Sequence, residues 1–180
     1  MISPMLKRAA MAASVAAMLG LAACATPSRP EAMAVPMTAA LSVSAGQTGY
    51  HSVTTVTVNG GSDTNPLLVA QVSDADLKTA LETSLAAAGY MGSEGQAMSV
   101  NASLIDLQQP MVGLDMTVTS RVRYTVMRNG QPIFDETIAA TGTATVSEAF
   151  AATDRIRLAN EKSIQGNITQ FLTQLRSRLR

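Results

Sequence analysis

The sequence predicts an α+β fold: two amphipathic helices packed on one face of a four-stranded, mainly antiparallel sheet, in the order β-α-β-β-β-α. Three observations predict it. Residues 73–88 and about 153–179 carry apolar side chains at helical spacing. Four segments, 51–58, 98–104, 116–126 and 131 to about 146, are β-branched or strand-like in pattern. Asn129-Gly130 supplies a two-residue hairpin turn, because both positions must tolerate positive φ.

The elements follow in order. His51–Val58 (HSVTTVTV) reads as a strand with Val56 and Val58 on one face, stopped by Asn59-Gly60-Gly61. Pro66 keeps 62–72 irregular. Ser73 is a good N-cap, and Asp74 and Asp76 sit in the first turn, where the helix dipole favours anions. Leu77, Ala80, Leu81, Leu85 and Ala88 form the helix's apolar stripe, and Gly89 ends it. Met98, Val100, Ala102 and Leu104 alternate up to the break at Pro110. Met116, Val118, Val122, Tyr124 and Val126 face one way; Thr117, Thr119, Arg121 and Arg123 face the other, so one side of the sheet is wet. In the last helix Ile164, Ile168, Phe171, Leu172, Leu175 and Leu179 make one stripe, with Arg176, Arg178 and Arg180 in the favourable last turn. Gly166 is its weak point, costing about 1 kcal/mol relative to alanine.

The N-terminus predicts export. Lys7 and Arg8 precede an apolar run, Ala9–Leu19, too short to span a bilayer but long enough for a signal peptide. Leu21-Ala22-Ala23-Cys24 resembles the lipobox of bacterial lipoproteins. That resemblance implies lipidation of the Cys24 thiol, removal of residues 1–23 and acylation of the new amino group. Cys24 is the one cysteine, so an exported chain has no internal disulfide to form. Ala25, rather than an aspartate, follows it, which in enterobacterial lipoproteins implies the outer membrane. Residues 24–48, with Pro27, Pro30, Pro36 and many small side chains, read as a flexible tether holding a weak strand candidate at Leu41–Ser44. Residues 49–180 read as the periplasmic domain.

Composition narrows the function. Only 14% of the 180 residues are charged and the formal net charge is zero, so a nucleic-acid partner is not expected. Residues 24–120 carry a net −6 and residues 121–180 a net +4. His51 is the only histidine, so neither a zinc site nor a serine–histidine–aspartate array is expected. Asp135 and Glu136 are strand neighbours and point to opposite faces. No cofactor, metal or catalytic residue is expected, and the chain reads as a non-enzyme. Arg121 and Arg123, on one face of a strand, are candidates for an anionic headgroup or an acidic partner; Arg155 and Arg157 are expected to pair with Asp154 or Glu161.

The element order resembles small periplasmic lipoproteins built as two helices on a four-stranded sheet, among them the lipoprotein of the lipopolysaccharide translocon and auxiliary lipoproteins of envelope transport systems. Arg155–Glu161 (RIRLANE), Asn167–Leu172 (NITQFL) and the Gly60-Gly61…Thr64-Asn65-Pro66 turn are similar to short alphaproteobacterial outer-membrane lipoproteins of unassigned role. The resemblance implies an outer-membrane, lipid-anchored accessory of an envelope complex. A lipid or glycolipid carrier lined by Met111, Met116 and Met127 is the alternative. An acyltransferase ranks last, since those enzymes use hexapeptide repeats and a histidine base that are not seen here.

Overall fold

A computed structural model describes residues 24–67 and 69–180. The expected signal peptide, with Leu21, Ala22 and Ala23, lies outside the described residues. The chain runs α1 (Pro30–Met33), β1 (Val53–Asn59), α2 (Asp74–Ala87), β2 (Met98–Gln108), β3 (Met116–Arg128), β4 (Gln131–Ala144) and α3 (Ala152–Arg178). The sheet order is β1-β2-β3-β4. β1 pairs parallel with β2, because α2 carries the chain back between them, and the other two pairings are antiparallel. The α+β class with one sheet under helices is therefore as the sequence predicts.

Local chemistry sets the element ends. The Ser73 hydroxyl accepts from the Asp76 N–H at 3.1 Å and caps α2. Asn129 and Gly130 take φ of 51° and 76° and close the β3–β4 hairpin. β1 starts at Val53, two residues later than expected, because His51 has a φ of 45° and cannot continue a strand. Leu41–Ser44 is no strand: Leu41 and Val43 are buried in loops, and only the Val43 N–H reaches α2, at the Ala88 carbonyl (2.8 Å).

Both long helices cover the same face. α2 packs on β1, and α3 packs on β3 and β4. Between them Tyr124 stacks on Phe171 at 4.2 Å, and Phe134 meets the same ring edge-on at 5.5 Å. All five residues of the predicted α2 stripe are buried, as are the six of α3. The opposite face carries the exposed Thr117, Arg121 and Arg123.

The expected flexible tether is corrected. Residues 25–43 form a strap laid over the helices. α1 packs against both α2 and α3, and Met33, Val35, Leu41 and Val43 join the core. The Val35 N–H donates to Ser84 Oγ (3.0 Å), and Gln165 Nε2 donates to the Ala34 carbonyl (2.9 Å). The prolines that suggest a tether serve the strap instead: Pro30 opens α1, where its missing N–H costs nothing.

Candidate functional site

The candidate site is the end of the domain at which Cys24 emerges. Cys24 is exposed, but Ala25 is already only 4% exposed. The Ala25 N–H donates to the Pro66 carbonyl (2.9 Å), and the Ser28 N–H to the Gln71 carbonyl (3.3 Å). Among the described residues, bonding into the fold thus starts one residue after the cysteine.

Arg29 locks the strap to α3. Its backbone N–H and Nε each donate to Glu161 Oε1 at 3.0 Å, and Nη2 donates to Oε2 at 3.2 Å. Arg157 Nη1 adds a further bond to Glu161 at 3.0 Å. Burial by itself would push the Glu161 carboxyl up. The bonds from Arg29 and Arg157 outweigh it and hold the carboxyl below its ordinary value.

A buried amide hub ties the neighbouring segments together. Gln109 Nε2 donates to the Ala70 carbonyl (2.7 Å) and to Asn160 Oδ1 (2.9 Å). Asn160 Nδ2 donates to the same carbonyl (3.0 Å) and to Ser28 Oγ (3.4 Å). Strap, 60–73 loop, β2–β3 loop and α3 therefore share one polar network.

The other sequence candidates separate. Arg121 and Arg123 share the open face, as expected. Arg123 is already held by Asp135 at 2.8 and 2.7 Å, and these bonds lower the Asp135 carboxyl. Arg121 stands opposite Asp106 and Ala139 in the register and has no ion pair among the described residues. Arg157 pairs with Asp154 and Glu161 as expected. Arg155 instead donates Nη1 to the carbonyls of Ala149 and Phe150 (2.9 and 2.5 Å), which fastens the loop leading into α3. Glu136 reaches Arg178 at 3.2 Å, on the face away from Asp135. His51 stacks on Tyr50 at 3.9 Å, with Nδ1 3.2 Å from Glu94. Among the described residues no three His, Cys, Asp or Glu side chains gather as metal ligands, and no helix is long and apolar enough to cross a membrane.

The three methionines do not share a cavity: Met111 is exposed, Met116 is buried under α3, and Met127 lies on the open face. A cleft of about 650 Å³ lies at the opposite end, where Tyr50, Ser52, Gln96 and Arg128 line it.

Sequence reasoning named Glu161 as a partner of Arg155 or Arg157 but missed its hold on Arg29, and it missed Asn160 and Gln109. The signal for Glu161 and Asn160 is positional: 160, 161, 164, 167 and 168 fall on one helical face with the apolar stripe. Gln109 gives no such signal.

No family model matches the chain, and no curated protein matches it. Solved structures share the fold. A Xanthomonas campestris protein of the DUF330 family is similar over 86% of this chain and 96% of its own, at a TM-score of 0.58 and 10% identity. A hypothetical protein from Chlamydia trachomatis covers 71% of this chain and 97% of its own, at a TM-score of 0.51 and 9% identity. A Caulobacter crescentus protein named "putative lipoprotein" covers 72% and 90%, at 0.50 and 14%. At such identities the likeness is one of fold.

Proposed function

We propose that this chain is a lipid-anchored envelope lipoprotein, held in the outer membrane through Cys24 and facing the periplasm. There it serves as a non-enzymatic accessory of an assembly or transport complex. The observation that carries the reading is Cys24: the sole cysteine, at the end of a lipobox-like sequence, exposed where the folded domain begins. The lipoprotein name of the Caulobacter crescentus neighbour supports it. The partner of such an accessory is another envelope protein rather than nucleic acid, a cofactor or a metal. The carrier alternative loses support, because its methionines are dispersed.

Labelling cells with an alkyne analogue of palmitate tests the anchor. The full chain takes up the label and fractionates with the outer membrane, whereas Cys24→Ser does neither; equal labelling of both overturns the anchor. Crosslinking in intact cells tests the accessory role. A chain that crosslinks to no envelope protein at native abundance overturns that part alone.

A further inference from the structure

Large apolar side chains are exposed almost wholly in three loops. Leu67 lies in the 60–73 loop; Met111, Val112 and Leu114 lie in the 109–115 loop; Phe150 and, more weakly, Val146 lie in the 145–151 loop. Among the described residues the one other is Ile105, in the β2 bulge. Topology brings the three loops to one end. β1 and β2 run parallel, so the loops that follow them leave on the same side. β3 starts there, and β4 ends there, with Met116 opposite Ala144. The Gln109 side chain bonded to Ala70 and the Arg155 guanidinium bonded to Phe150 hold the loops in place.

Cys24 emerges among them, since Ala25 bonds to Pro66, the residue before Leu67. The far end carries the Asn129-Gly130 hairpin, the 88–97 loop and the C-terminus. It exposes no such side chain among the described residues. Single exposed apolar residues are ordinary on a soluble protein. A set confined to one end, around an attachment point, marks a contact surface.

We infer that this end rests directly on the bilayer, with Leu67, Met111, Val112, Leu114 and Phe150 entering the zone between headgroups and acyl chains. The inference rests on the lipidation of Cys24 proposed above and adds the orientation of the domain. Ala25 is bonded into the fold, so no slack separates the anchor from the domain. One residue spans at most about 3.5 Å, so loops beside an embedded cysteine cannot stand clear of the surface. Met111 is 97% exposed and Phe150 93%, and both leave water on insertion. The three loops hold Asp63, Asp115 and Glu148 but no lysine or arginine. Apolar insertion, not attraction to anionic headgroups, is therefore the driving term.

The test uses the full chain, processed in a Gram-negative host and reconstituted into phosphatidylcholine vesicles. An environment-sensitive dye is placed at Met111→Cys, at Phe150→Cys or, at the far end, at Gln131→Cys. Dyes at 111 and 150 are quenched by brominated acyl chains, and the dye at 131 is not. In a second arm the unlipidated Cys24→Ser chain partitions weakly onto the same vesicles. Adding Met111→Asp and Phe150→Asp lowers that partition about tenfold, with or without added salt or anionic lipid.

If all three dyes stay in water while the protein mass includes the lipid, the orientation falls and the anchor stands. An unmodified Cys24 removes the anchor, and the Cys24→Ser arm then judges the surface alone: loss of partition with the aspartates supports it, and no partition at all overturns it. Dyes buried without vesicles, in a protein of dimer mass, overturn it in favour of self-association.

Discussion

The two halves of α3 do the same structural job with opposite chemistry. From Ile168 to Leu175 the buried face is a hydrocarbon stripe, with Phe171 sandwiched against Tyr124 and Phe134. From Arg155 to Asn167 much of the buried face is polar. Glu161 holds the strap, Asn160 joins the amide hub, and Ser163 donates to the Ala140 carbonyl (2.9 Å) while accepting from the Ser120 N–H (2.9 Å). The apolar half is held by exclusion of water and tolerates any partner of matching shape. The polar half is held by directed bonds, each of which fixes a particular segment in a particular place. That half lies at the Cys24 end, where it ties the strap and the neighbouring loops together.

The comparison breaks most sharply at the ring stack. Phe171→Ala removes the centre of the apolar half and destabilises the fold by about 3–5 kcal/mol in urea unfolding, with the slope unchanged. Glu161→Gln strikes the polar half. It leaves the half-exposed Arg29 without its counter-charge and Arg157 with Asp154 alone, and costs about 2–3 kcal/mol at neutral pH. Its pH dependence separates the two halves. The Glu161 carboxyl is held below its ordinary value of 4.5, so its contribution is full above that value. The contribution is lost as pH falls through the lower folded value. Wild type therefore sheds this increment in acid, and Glu161→Gln has none to shed. Amide exchange of residues 28–43 in the variant, but not in Phe171→Ala at matched stability, rises ahead of global unfolding.

Two alanine substitutions sharpen the contrast with opposite signs. α3 crosses β4 closely at Gly142, where an added Cβ would lie 2.3 Å from the Ser163 nitrogen and 2.4 Å from the Ala159 carbonyl oxygen. Gly142→Ala therefore forces the helix off the sheet and costs about 1–3 kcal/mol. Gly166 faces only the Ala140 methyl, at 3.6 Å. Gly166→Ala fits there and stabilises by about 0.5–1 kcal/mol, read as a higher Tm.

What was legible in the sequence follows the same division. The α2 stripe, the Ser73 cap, the Asn129-Gly130 turn and the apolar half of α3 are local or periodic features, so the fold class could be read from them. The strap was not legible. Met33, Val35, Leu41 and Val43 are sparse among prolines and alanines, show no period, and become a core segment only against α2 and α3. The amide hub was not legible either, because Gln109, Ala70, Asn160 and Ser28 come from four distant stretches.

By itself, then, the sequence determined the type, order and buried faces of the main elements, because side-chain periodicity and turn chemistry act over a few neighbours. Only the tertiary structure decided where the chain after Cys24 goes, which charges on α3 are buried, and which end gathers the exposed apolar loops. Those outcomes depend on contacts between residues far apart in the chain, such as Gln165 with Ala32, 133 positions away. Such contacts have no favourable local energy until both partners are held by the rest of the fold.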